Sequence, residues 1–145
     1  MENLILLNCE VGLFLMSTKF KRIGYNAGKI WSILNEKGPL TKSVLLKYTK
    51  LSNYEFYSAV GWLARENKIT LDNEYYKLDT TNLTPEIGTN AGKIWKIIDI
   101  WDDVEISTIK KLAAINEKDL YSAIGWLARE DKIYPNGNPP KFRLK

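Results

Sequence analysis

The sequence predicts a mainly α, α+β fold with small β-hairpins, laid out as two tandem copies of one small domain. Three observations carry this. Ile23-Gly24-Tyr25-Asn26-Ala27-Gly28-Lys29-Ile30-Trp31 returns 64 residues later as Ile87-Gly88-Thr89-Asn90-Ala91-Gly92-Lys93-Ile94-Trp95. Tyr57-Ser58-Ala59-Val60-Gly61-Trp62-Leu63-Ala64-Arg65-Glu66 returns at the same offset as Tyr121-Ser122-Ala123-Ile124-Gly125-Trp126-Leu127-Ala128-Arg129-Glu130. Each copy also runs from helical apolar spacing into two short strand-like stretches around a turn. Between residues 23 and 69, 22 of 47 positions match their partners, so duplication sets the architecture. The expected division is an apolar extension over 1–22, a first repeat over 23–80, and a linker with the second repeat over 81–145.

Within the first copy, Asn26 reads as the N-cap of a helix through about Asn35, with Ala27, Ile30, Ile33 and Leu34 on one face. Lys37-Gly38-Pro39 stops it, and Thr41 caps a second, short helix carrying Val44, Leu45 and Tyr48. Ser52 caps a third helix to about Asn67, whose core face is Phe56, Val60 and Leu63. Ile69-Thr70-Leu71 and Tyr75-Tyr76-Lys77-Leu78 flank Asp72-Asn73-Glu74 as a hairpin, and in the second copy Asn136-Gly137 marks the turn. Helix, short helix, turn, long helix, hairpin is the order of a winged helix-turn-helix, here in tandem. Thr80, Thr81, Asn82, Thr84 and Pro85 read as the linker.

Composition excludes several chemistries. With no His and one Cys there is no imidazole base, no catalytic triad, no Cys/His zinc site and no internal disulfide. No cofactor is expected and the chain does not read as an enzyme; Asp102-Asp103-Val104-Glu105 reads as loop and helix-start chemistry, with metal binding the lesser alternative. Net charge is +4, divided as +1 over residues 1–22, +2 over 23–80 and +1 over 81–145, too even for a strong basic field. The apolar start, Leu4-Ile5-Leu6-Leu7 and Val11 to Met16, carries Glu2 and is interrupted by Asn8, Cys9 and Glu10. It is shorter than the ~20 residues of a membrane span, so the expectation is a cytoplasmic protein without membrane insertion.

The third helix carries the functional question. On its wheel Tyr54, Ser58, Gly61 and Arg65 point away from the core; Lys118, Ser122, Gly125 and Arg129 do so in the second copy, with Tyr57 and Tyr121 at the border. A mid-helix Gly costs ~1 kcal/mol relative to Ala, so it calls for close approach of another backbone, a base edge or a phosphate, or for room beside Trp62 or Trp126. Charge argues against tight DNA binding: residues 52–68 sum to zero and residues 116–132 to −1. Lys141 and Arg143 on the second wing add cations. Glu36, Lys37 and Lys42 become Ile100, Trp101 and Ile106 in the second copy, which predicts a buried interface with the first copy, the extension or another chain.

The motifs Asn-Ala-Gly-Lys-Ile-Trp and Tyr-Ser-Ala-Val/Ile-Gly-Trp-Leu-Ala-Arg-Glu resemble those of a family of small prokaryotic winged helix-turn-helix proteins of undefined function, usually one copy per chain. The resemblance covers 23–78 and 87–144 and implies the fold; DNA binding follows only by analogy with winged helices at large. The leading expectation is weak to moderate binding of double-stranded DNA, with a role in transcription regulation. Tyr54, Tyr57, Ser58, Arg65, Lys118, Tyr121, Ser122, Arg129, Lys141 and Arg143 are its candidate residues. The linker, at most ~35 Å when extended, would set the two third helices one DNA turn apart. The alternative is a protein-interaction module whose Tyr/Gly/Trp faces bind a partner helix, the other repeat or a homodimer mate, without DNA.

Overall fold

The computed structural model of the chain describes residues 8–136 and 141–145, leaving aside the side chains of 8–19 and 136. The first repeat contains α1 (Asn8–Lys37), β1 (Leu40–Thr41), α2 (Lys42–Thr49), α3 (Asn53–Arg65), β2 (Ile69–Asp72) and β3 (Tyr75–Leu78). A π-helical turn at Thr84–Gly88 then leads directly into α4 (Thr89–Trp101), β4 (Val104–Glu105), α5 (Ile106–Ala113), α6 (Glu117–Arg129), β5 (Ile133–Asn136) and β6 (Lys141–Leu144). The predicted tandem winged helices are present. Each sheet is antiparallel with the last strand central, in the orders β1-β3-β2 and β4-β6-β5. Leu40 pairs with Tyr76, and Val104 with Phe142, so the second wing is two residues longer than the repeat offset.

The helix starts follow local chemistry. Thr41 Oγ1 accepts from the Val44 amide at 3.4 Å. Ser52 and Glu55 form a capping box: the Glu55 amide donates to Ser52 Oγ at 3.3 Å and the Ser52 amide to Glu55 Oε1 at 3.0 Å. Burial pushes the Glu55 carboxyl up, but these hydrogen bonds and the nearby Arg22 charge outweigh it and hold the group below the usual carboxylate range. In the second repeat Asn116 Oδ1 accepts from the Asp119 amide at 2.8 Å. Phe56, Val60 and Leu63 are buried in the first core, with Ile30, Leu45 and Ile69; Ile94, Ile109, Leu120, Ile124 and Leu127 build the second.

Three expectations need correction. Asn26 is not a cap: α1 runs through it without a break, and Asn90 likewise sits inside a continuous helical run. The residues just before Asn26 form an unbroken helix, and its side chain, 3% exposed, faces the space between the repeats rather than a free helix end.

The linker is not a free tether. Asn82 brackets the Leu71 peptide, its Oδ1 accepting from Leu71 N at 3.1 Å and its Nδ2 donating to Leu71 O at 2.7 Å. Thr81 N donates to Asn67 Oδ1 at 2.8 Å, and Leu83 and Ile87 enter the core of the first repeat. Burial of two large aliphatic side chains anchors this segment where an extended strand would have left them in water.

The third concerns the apolar substitutions, and corrects only the expected burial against the first copy. Ile100 and Trp101 are 78% and 57% exposed at the end of α4, with no covering surface among the described residues. Ile106 is half-buried and packs on the second core. The three positions therefore do not form one buried patch: the first two flank the end of a helix whose buried stripe is Ala91, Ile94 and Ile98.

Candidate functional site

The third helices of the two repeats, α3 and α6, lie against one another and form the most extensive contact among the described elements. They run in the same direction. Near their N-terminal ends the Tyr54 and Tyr121 rings are 5.5 Å apart. At mid-length each glycine meets the opposite backbone: a Cβ on Gly61 would lie 1.9 Å from the Ser122 carbonyl oxygen, and one on Gly125 would lie 1.9 Å from the Ser58 carbonyl oxygen. Among the explanations for a mid-helix glycine, close approach of another backbone is the one realised. Room for the tryptophans is supplied elsewhere: Gly24 lies under Trp62 and Gly88 under Trp126.

At the C-terminal ends Arg65 Nε donates to Glu130 Oε2 at 3.0 Å, and Arg129 Nε to Glu66 Oε2 at 3.0 Å. The Arg65 guanidinium lies 5.8 Å from the Trp126 ring centroid and that of Arg129 lies 5.8 Å from Trp62. The glycine, Arg–Glu and Arg–Trp contacts thus each occur twice with the roles of the repeats exchanged, while the Tyr54–Tyr121 contact occurs once because Lys118 stands in the place of Tyr54. That is the pattern of an isologous two-fold interface, here within one chain.

This arrangement corrects the outward reading of the third-helix wheel. Ser58 and Ser122, 5% and 3% exposed, are covered by the opposite helix; Ser58 Oγ donates to the Tyr54 carbonyl at 2.8 Å. Gly61 and Gly125 are buried with them. The two helices touch, so the linker does not hold them one DNA turn apart. Tyr57 is half-buried and its hydroxyl accepts from Lys42 Nζ at 2.8 Å. Burial, the Glu117 charge and Tyr54 push the Tyr121 hydroxyl above the usual tyrosine range. Tyr54 and Lys118 remain exposed near the helix starts, and Arg65 and Arg129 keep nearly half their side-chain surface while paired.

The other two candidates stand on the second wing. Lys141 is exposed at the start of β6. Arg143 Nε is 3.1 Å from Asp103 Oδ1, close enough to pair though off the angle of a hydrogen bond, and its guanidinium is 5.8 Å from the Tyr134 ring centroid. The structure therefore joins Tyr54, Ser58, Arg65, Tyr121, Ser122 and Arg129 in one interface and leaves Lys141 and Arg143 on the wing.

Sequence reasoning missed Glu66 and Glu130 as partners. The signal was present: Arg and Glu both return in the second copy, and a self-complementary surface needs both signs.

Fold and interface together define a tandem winged-helix protein closed into an internal pseudo-dimer. The chain belongs to the winged helix-turn-helix domain family DUF2582, which matches it twice, at residues 16–82 and 79–139. A curated relative, the uncharacterized protein MJ1608 of Methanocaldococcus jannaschii, is 36% identical over 63 residues. The match covers 41% of this chain and 89% of that protein, which is therefore about one repeat long. No solved structure matches the chain.

Proposed function

We propose that the chain is a non-catalytic protein-interaction module in which the third helices serve protein contact, each binding the other repeat, instead of reading a DNA groove. The observation that carries this reading is the double glycine contact at Gly61 and Gly125. A groove-reading helix must expose its outer face, and this face is sealed by a second backbone. The near-zero charge of both third helices supports the same reading, since phosphate contact needs cations. Among the described residues no helix is long and apolar enough to cross a membrane, and we place the protein in the cytoplasm.

Fluorescence anisotropy with labelled duplexes across a salt series tests the proposal. The expected result is no binding at physiological salt, or loose binding that depends on the exposed Lys47, Lys50 and Lys141 and not on Tyr54, Ser58, Ser122 or Lys118. Micromolar or tighter binding at physiological salt, lost in a folded Lys118→Glu variant, would overturn it.

The fold class favours a second reading, weak duplex DNA binding with a role in transcription regulation. In that case log K should fall with log[salt] at a slope of about −3 to −4, the value for three to five neutralised phosphates.

A further inference from the structure

The pseudo-two-fold axis relates two spaces at the edges of the interface, and they differ. One is a cavity of about 510 Å3, walled by Phe20, Ile106, Tyr121, Ile124 and Phe142, with Asn26 on its lining. The other, walled by the equivalent Tyr57, Val60, Tyr76 and Ile87, is reduced to about 10 Å3, with the buried Leu83 seated in it. Two of the sequence differences between them bear on volume and polarity. Leu83 corresponds to Lys19, so that half of the apolar plug is not repeated in the sequence, while Ile87 corresponds to Ile23, which lines the open cavity. Lys42, whose Nζ donates to the Tyr57 hydroxyl, corresponds to Ile106, which offers Tyr121 no such donor and turns that wall apolar.

We propose that the open cavity is a binding site for one small, uncharged, mainly apolar molecule. Its size lies within the ~300–1,000 Å3 of ligand sites, and apolar walls with a few polar groups are their usual lining. The filled counterpart shows what this geometry accepts, branched aliphatic groups seated between an aromatic residue of the wing and the third helices. The charged groups at the rim, Arg22 and Glu55, are 3.9 Å apart and offset one another, so the site presents no net charge to an anionic headgroup. Asn26 and the Tyr121 hydroxyl supply one or two hydrogen bonds to orient a neutral ligand.

The test uses two fluorescent probes that share a skeleton and differ by a sulfonate. These are neutral N-phenyl-1-naphthylamine and anionic 8-anilinonaphthalene-1-sulfonate. The full chain at physiological salt should bind the neutral probe saturably with one-to-one stoichiometry, and the anionic probe at least tenfold more weakly. Ile106→Lys, which copies the Lys42–Tyr57 pair into the second repeat, should lower affinity for the neutral probe at least tenfold.

Titration of methyl-labelled wild type gives a readout that does not depend on that variant folding: Ile106 and Ile124 should shift on adding the neutral probe, and Val60, the counterpart of Ile124, and Leu83, both on the filled side, should not. Absence of saturable binding, equal affinity for both probes, a folded Ile106→Lys that binds unchanged, or shifts centred on Val60 and Leu83 would each overturn the proposal.

Discussion

Gly61 faces the carbonyl oxygen of Ser122 so closely that a single added carbon would sit 1.9 Å from it, and Gly125 repeats the relation with Ser58. This gives opposite signs to two physical effects. Helix propensity alone makes Gly→Ala stabilising by ~1 kcal/mol. Backbone contact makes it destabilising, because no side-chain rotation can move a carbonyl oxygen out of the way. Gly61→Ala is expected to destabilise the chain by at least about 1–3 kcal/mol, the usual scale of over-packing. Urea unfolding of the single variants Gly61→Ala and Gly125→Ala measures this; a gain in stability in either would mean that the helices separate in solution.

The Arg65–Glu130 and Arg129–Glu66 pairs are partly exposed, so each contributes little on its own. A double-mutant cycle with Arg65→Ala and Glu130→Ala should return a coupling of about 0.5–1 kcal/mol that shrinks with added salt. Arg65→Glu should cost more than Arg65→Ala by placing like charges together, and Arg65→Glu with Glu130→Arg should recover most of the loss. Chemical denaturation at two ionic strengths reads all three.

Alkaline stability reports on Tyr76. Burial first, then Tyr57 and Glu86, push its phenol well above the usual tyrosine range. The unfolded chain therefore releases its proton near pH ~10 while the folded chain keeps it, and the folded state loses stability as pH rises above ~10. Tyr76→Phe retains the edge-to-face contact with Phe56, at 5.4 Å between centroids, and should flatten the decline of Tm between pH 9 and pH 11 relative to wild type.

Trp101 lies open among the described residues, so Trp101→Lys should change the unfolding free energy of the monomer by less than ~0.5 kcal/mol. Thermal unfolding with size-exclusion chromatography checks it. A loss above ~1 kcal/mol would mean that Trp101 is covered in solution by a contact between chains.

By itself the sequence determined the duplication, its 64-residue offset, the helix-turn-helix-hairpin order, the Thr41 and Ser52 caps and the Phe56/Val60/Leu63 core stripe. These are local or periodic properties: a cap needs three residues and a helix face needs four-residue spacing, so both are written along the chain. The tertiary structure alone decided what covers the outer faces of the third helices. Ser58, Gly61 and Arg65 have the same spacing whether they meet a groove or another helix, and only the meeting of segments 64 residues apart separates the two. It also decided that α1 continues through Asn26, that Leu83 and Ile87 join the first core, and that Ile100 and Trp101 stay exposed while Ile106 faces a cavity. Each depends on which side chains arrive from the other repeat, and a distance across an interface leaves no period in the sequence.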